Sequence, residues 1–225
     1  MRIFGFLFDT DSKFAKITSK IAMIVIANLL FLIFCIPIVT VGAAYTAYTA
    51  LYHVMMKSFR NGSDINVISE FWKGFKNNFI QATICWVGYL LFLGIGLLNI
   101  FWCSQLGGLF LYFECGIAIM EILIGALMLF MGPVIAAFEN KTKILLENAV
   151  FLAIKKPIIS AGFLGVNIIP VLVAVLDKVN QPTYAFCFFF FAFGLNAWIG
   201  AWIILKTFTQ YLPPVEKVDE GEKEE

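Results

Sequence analysis

The chain has 225 residues, of which 61% are hydrophobic and only 14% charged, with a mean hydropathy of +0.89. A soluble domain is nearer half apolar and a quarter charged, so one aqueous core cannot hide this much apolar surface and the bilayer has to serve as solvent. A formal net charge of +1 argues against nucleic acid as a partner, since that needs a basic face.

No secretory leader is expected at the start. The run MRIFGFLF is short and is followed by Asp9, Asp11, Lys13 and Lys16 without a small-residue cleavage site. Apolar segments of the length needed to span a bilayer, roughly 20 residues, then fall at 21–38, 79–101, 109–137, 158–176 and 183–205. A sixth, at 42–57, is shorter and more polar. It forms a hairpin with the first: an apolar helix meets Pro37, which has no N–H and disfavours helix at Ile36, and the chain turns through Thr40, Val41 and Gly42. Gly42 is expected to supply the backbone freedom of the turn.

Charge decides for the sixth span. With the N-terminus inside, fifteen of the sixteen Lys and Arg fall on the cytoplasmic side, and only Lys178 lies outside. That is the asymmetry the positive-inside rule demands. Removing the span at 42–57 would put Lys57, Arg60, Lys73 and Lys76 outside. The expected fold is therefore an all-α integral membrane protein with six transmembrane helices and both termini cytoplasmic, forming one domain over 1–206. The tail at 207–225, with PPVEKVDEGEKEE, is acidic, proline-broken and expected to be disordered.

The outer loops are short, whereas the inner segments 58–78 and 139–156 carry helical patterns. Phe71, Trp72, Phe75 and Phe79 stand on one face of the first, with Lys73 and Lys76 off it; Ile144, Leu145, Ala149, Leu152 and Ala153 behave similarly in the second. Both are read as amphipathic helices lying at the cytoplasmic interface. Phe71, Trp72, Phe75 and Lys76 are the expected face for docking a partner. The run Phe71–Asn77 also aligns without gaps on residues 150–156. That similarity reads either as an internal duplication or as the common ending of interfacial helices in aromatics and lysines.

Glu114 and Glu121 are the most informative charges. Seven residues apart, they share one face of a helix, and Ala118, Gly125 and Gly132 continue that face. Glu121 lies near the midplane, where a carboxylate is costly unless hydrated, paired or protonated. Two readings stand: a proton- or cation-responsive site or ligand cavity, or a carboxyl that fixes helix register by bonding a neighbouring Asn, Thr or Tyr. His53, the one histidine, shares a face with Thr46 and Thr49 beside a stripe of Tyr45, Tyr48 and Tyr52. It reads as a packing residue or as part of a ligand or proton pathway. Asn28, Asn99, Asn167 and Asn196 are single polar residues suited to interhelical hydrogen bonds.

The five cysteines stand singly, without CxxC spacing or a histidine cluster, so neither a metal nor disulfides are expected, and no cofactor. No nucleotide loop, HExxH or GxSxG motif occurs, and no enzymatic activity is expected.

The runs Asn28–Leu32, Cys35–Ala44 (Cys-Ile-Pro-Ile-Val-Thr-Val-Gly-Ala-Ala) and Phe71–Gln81 (Phe-Trp-Lys-Gly-Phe-Lys-Asn-Asn-Phe-Ile-Gln), with the softer Gly132-Pro133 and Leu146-Glu147-Asn148-Ala149, resemble the YesL-like family of bacterial membrane proteins, whose domain has no known function. The resemblance covers roughly residues 5–205. It implies a multi-pass protein of a Gram-positive-type plasma membrane. Genes of that family neighbour sugar importers of the ABC type, which implies an accessory or regulatory role beside the permease subunits of a carbohydrate importer. The two glutamates and the acidic tail are not features of the family. The other expectations are a small solute or ion transporter with Glu121 in its pathway, and a structural membrane protein without a ligand.

Overall fold

The computed structural model describes residues 13–35, 42–61, 65–138, 140–208 and 211, and among these every regular element is helical. In chain order they are α1 (Lys13–Cys35), α2 (Ala43–Asn61), α3 (Val67–Leu106), α4 (Phe110–Ala137), α5 (Thr142–Lys155), α6 (Pro157–Leu176), α7 (Gln181–Cys187), a π-helical turn (Phe188–Ala192) and α8 (Phe193–Phe208). Among the described residues five stretches are long and apolar enough to cross a bilayer: Phe14–Cys35, Val67–Leu106, Phe110–Ala137, Pro157–Leu176 and Gln181–Phe208. Their outward faces carry large apolar side chains such as Ile84, Leu91, Ile122 and Leu172. Such a surface suits lipid and not water, and the protein is a multi-pass membrane protein.

Three expectations are corrected. Residues 67–78 do not form a separate interfacial helix. They are the first turns of α3, a single helix of 40 residues, about 60 Å long at 1.5 Å per residue and roughly twice the hydrocarbon thickness. Asn66 starts it, its side chain accepting from Ser69 N at 3.1 Å, as an N-cap residue does. Phe71 and Phe75, expected on a docking face, are buried against Phe34 of α1. Gly42 does not use a left-handed backbone; a Cβ there would collide with Thr83 of α3, so it serves close packing. The second interfacial segment is a helix of its own, α5, with Leu145, Ala149 and Leu152 turned inward. The remainder of the turn through Pro37, and the tail from residue 212, lie outside the described residues.

Among the described residues the positive-φ positions are Gly107 (φ 64°) and Gly108 (φ 59°), which fold α3 back into α4. There Gly107 N donates to Cys103 O at 3.1 Å, closing the end of α3 as C-terminal glycines do. At the other short connection, Asp177 accepts from Asn180 Nδ2 and the Tyr184 hydroxyl, each at 2.9 Å. Those two bonds, Asn180 first, hold its carboxyl below the ordinary carboxylate value. This support is complete at neutral pH and is lost as pH falls through that lowered value.

The most buried helix is α2, which packs on α1, α3, α4 and α8. A helix walled in by protein needs no lipophilic face, which is why its hydropathy falls short of the other five. Its polar groups go to neighbouring backbone. Pro133 lies inside α4 and has no N–H for the carbonyl four residues back, that of Leu129. The Tyr48 hydroxyl donates to that carbonyl at 3.1 Å, and Tyr45 donates to the adjacent Met128 O at 2.7 Å. Thr46 and Thr49 bond back to Gly42 O and Tyr45 O of their own turn. Asn28, fully buried on α1, does the same for the π-helical turn. Its Nδ2 donates to Phe188 O (3.2 Å) and Phe189 O (2.8 Å), and its Oδ1 accepts from Gly194 N (2.9 Å). A π-turn breaks the regular ladder, and one asparagine covers the groups it frees.

The pairing of Tyr48 with a proline-orphaned carbonyl makes a double-mutant cycle diagnostic. Tyr48→Phe should cost roughly 0.5–2 kcal/mol of stability in detergent. Pro133→Ala restores an N–H to Leu129 O, so Tyr48→Phe made in that background should cost clearly less. Additive losses would show that the carbonyl does not need the tyrosine.

Candidate functional site

Three places hold the residues singled out in the sequence. The first lies in the hairpin of α3 and α4. α2 lies beside the first half of α3, with Tyr45 stacked on Trp86 at 5.3 Å, and against the last turns of α4 from Met128 onward. Beyond that level α3 and α4 pack chiefly on each other. Glu121 stands on α4 there, 8% exposed, facing Gly96 of α3: a Cβ built on Gly96 would overlap the Glu121 carboxyl. Neither carboxyl oxygen has a hydrogen-bond partner among the described residues. The hydrogen bond to a neighbouring Asn, Thr or Tyr that one reading called for is not made, although the Tyr89 hydroxyl stands nearby over Gly125. Glu121 borders a cavity of about 460 Å³ between the two helices, with Phe92, Asn99, Phe113 and Gly116 in its walls. Asn99 spends its amide on Ile95 O of its own helix, at 2.8 Å. Glu114, half-buried on the same helix, does not line this cavity.

A second cavity, of about 420 Å³, opens on the other side, walled by Cys35, Tyr45, Tyr48, Trp86, Tyr89 and Gly125. The Tyr89 hydroxyl stands over Gly125, one turn along α4 from Glu121. Tyr45 and Tyr48 spend their hydroxyls on Met128 O and Leu129 O, so what these two present to the cavity is aromatic surface.

The second place surrounds His53. Its Nδ1 lies 3.5 Å from Ala136 O of α4 and its Nε2 3.5 Å from Glu70 Oε2 of α3. Glu70 is held in turn by Lys57 Nζ at 2.6 Å. The ring rests on Gly74, where a Cβ would come within 2.9 Å of it. This cluster ties the ends of α2, α3 and α4 together, and His53 is a member of a polar knot and not part of the Glu121 site. Glu70 and Lys57 are the residues that sequence reasoning missed. Their one signal was an acidic residue in the first turn of an Asn66-capped helix; the pairing itself is tertiary.

The third place is the former docking face. Phe71 is 1% exposed and Phe75 is buried beside it, whereas Trp72 (53% exposed) and Lys76 face outward. Trp72 stacks on Phe75 at 5.9 Å, which anchors the exposed indole on the buried ring.

An unpaired buried carboxyl costs stability. Glu121→Leu should therefore raise the unfolding midpoint in detergent, by the equivalent of about 1–3 kcal/mol, in contrast to the loss expected of a carboxyl with a hydrogen-bond partner. A destabilised Leu variant would reveal a partner for the carboxyl.

No curated protein and no solved structure matches the chain. Residues 24–100 match the family model described as "Protein of unknown function, DUF624". The matched stretch takes in Asn28, the Tyr45–Tyr48–His53 face of α2, the Lys57–Glu70 pair and Gly96, and stops before Glu121. It also contains the Asn28–Ala44 and Phe71–Gln81 runs that carry the YesL-like resemblance. Over residues 24–100, about a third of its length, the chain is thus similar to the DUF624 family, a family of unknown function.

Proposed function

We propose that this protein is a non-enzymatic component of a bacterial plasma membrane that acts as an accessory or regulatory partner of a carbohydrate importer of the ABC type. The observation that carries the accessory role is the rigid extension of α3. Its first turns continue the apolar part of the helix without a break, are locked by Phe71 and Phe75 inside, and hold Trp72, Lys73 and Lys76 outward. An exposed aromatic flanked by cations on a rigid rod suits docking, because little side-chain or backbone freedom is lost on binding. The choice of a sugar importer as the partner rests on the YesL-like resemblance alone.

The finer topology is part of the same proposal: six crossings with both termini cytoplasmic, α2 being the span that hydropathy leaves out. At 19 residues it is about 28 Å long, and fifteen of sixteen cations fall inside in that arrangement. One contact favours a second reading. The Phe34 ring meets Phe71, Trp72 and Phe75 at 4.8–5.8 Å, which sets the end of α1 beside the start of α3. Five crossings with the N-terminus outside put those two ends on one side, but leave Arg2, Lys13, Lys16 and Lys20 outside.

The buried Glu121 favours a second functional reading, a small solute or ion pathway through the α3–α4 hairpin, since intramembrane carboxylates are characteristic of such pathways.

Three measurements follow from these readings. In a mild-detergent pull-down, Trp72→Ala with Lys76→Glu should lose co-purifying importer subunits while the protein stays folded; an undiminished yield overturns docking at this face. A cysteine at Ser12 should escape a membrane-impermeant label in intact cells if six spans are right, and react if five are. In proteoliposomes containing a pH-sensitive dye and held at an imposed potential, no Glu121-dependent proton flux is expected of an accessory protein. Flux abolished by Glu121→Gln would establish the pathway.

A further inference from the structure

We propose that the cavity beside Glu121 is a binding site for a lipophilic organic monocation, a molecule with one ammonium-like charge on an apolar body. The inference rests on the second functional reading to the extent that Glu121 faces a ligand, but it requires no transport. The argument begins with the mismatch at Glu121. Elsewhere in the bundle the buried polar groups of Asn28, Tyr45, Tyr48, Thr46 and Thr49 all meet backbone partners. Glu121 is buried too, at 8% exposed, and both its oxygens meet none among the described residues. A buried group of this kind calls for a partner, and a space of about 460 Å³ lies beside it.

The walls select the chemistry of that partner. A divalent metal requires several oxygen or nitrogen ligands, and the described residues hold no group of three or more His, Cys, Asp or Glu that could bind one. A sugar requires hydrogen-bonding groups along all its hydroxyls, but the cavity adds only Asn99, which has one amide hydrogen committed to Ile95 O, and Tyr112, which is 77% exposed. An anion is repelled by a carboxylate, and a neutral hydrocarbon leaves the carboxyl as unpaired as before. A single positive charge on an apolar body meets both requirements. The charge pairs with Glu121, and the body lies against Phe92, Ile95, Phe113, Ile117 and Met120, with aromatic faces that attract cations further. Leu91, Ile95, Met120 and Ile122 around the cavity are exposed on the lipid-facing surface, so such a molecule reaches the site from the bilayer where it already partitions.

The test uses two probes of one shape and opposite charge, tetraphenylphosphonium and tetraphenylborate, with the purified full-length protein in neutral detergent. Equilibrium dialysis against protein-free micelles should show saturable, stoichiometric binding of the cation and none of the anion. Glu121→Gln should weaken the cation by about tenfold or more, as expected for loss of a charge-assisted contact, while Glu114→Gln leaves it unchanged. Gly116 also lines the cavity, and a Cβ there meets nothing within 4 Å, so Gly116→Trp should fill the space and abolish binding. This second variant keeps the test decisive if Glu121→Gln fails to fold. Absence of saturable binding, equal binding of both probes, or full binding by folded Glu121→Gln or Gly116→Trp overturns the proposal. Proton flux abolished by Glu121→Gln in a protein that binds no cation would overturn the cation site and leave the pathway standing.

Discussion

A proline inside a membrane helix leaves one carbonyl without its N–H, and the hydrocarbon offers no water to replace it. In this bundle the carbonyl is that of Leu129, and the group that reaches it is the Tyr48 hydroxyl of α2. Much of the architecture depends on that contact. It holds α2 against the part of α4 that Pro133 disturbs, with Tyr45 seated on Met128 O one residue away and His53 close to Ala136 O two turns on. α1, α3 and α8 then close around α2. Once enclosed, α2 carries threonines, tyrosines and a histidine at little cost, because each is matched inside the protein and none faces lipid.

The same economy governs Asn28, whose donor and acceptor both serve the π-helical turn and the start of α8. Two distortions that would otherwise be liabilities, a proline in α4 and a π-turn before α8, are each corrected by a side chain from another helix. Against that background Glu121 stands out as a buried carboxyl that no cation and no hydrogen-bond donor meets among the described residues. It lies where α3 and α4 have left the bundle, with a glycine opposite it and a cavity beside it. Natural proteins tolerate unpaired buried groups chiefly where a site needs them. This contrast, and not the mere presence of a charge in a span, separates Glu121 from Glu70, which Lys57 neutralises at 2.6 Å.

The apolar spans were legible in the sequence because hydropathy over some twenty residues is a local property; the windows at 109–137 and 158–176 match α4 and α6 closely. Asn28 was legible as an interhelical hydrogen-bonding residue, although its target, a π-turn some 160 residues away, was not. The amphipathic pattern of Phe71 and Phe75 was read correctly as a buried face but assigned to the wrong neighbour. Periodicity reports that one side of a helix is covered, and does not distinguish lipid headgroups or a partner from Phe34 of the same chain. The Lys57–Glu70–His53 knot and the Gly96–Glu121 apposition were out of reach, since each joins helices through pairings that leave no periodic trace. Gly42 misled for a related reason: a glycine after a proline reads as a turn, and its use here is contact with Thr83.

Deformability is unevenly shared among the long helices. α4 and α6 contain Pro133 and Pro170, and the last span is interrupted at Phe188–Ala192. The 40 residues of α3 contain no proline and no such insertion. Helices bend at prolines and π-turns and resist bending elsewhere. A charge or ligand that moves Glu121 against Gly96 therefore displaces the outer half of α4, which pivots near Pro133, more readily than it bends α3. The pivot is also where Tyr45 and Tyr48 grip α4, so such a displacement bears on α2 and on the knot at Lys57 and Glu70. Glu70 of that knot stands two residues before Trp72 on α3. The intramembrane carboxyl and the outward Trp72–Lys76 face are thus joined by one rod and one hinge, and an accessory role and a ligand site are physically compatible in the same molecule.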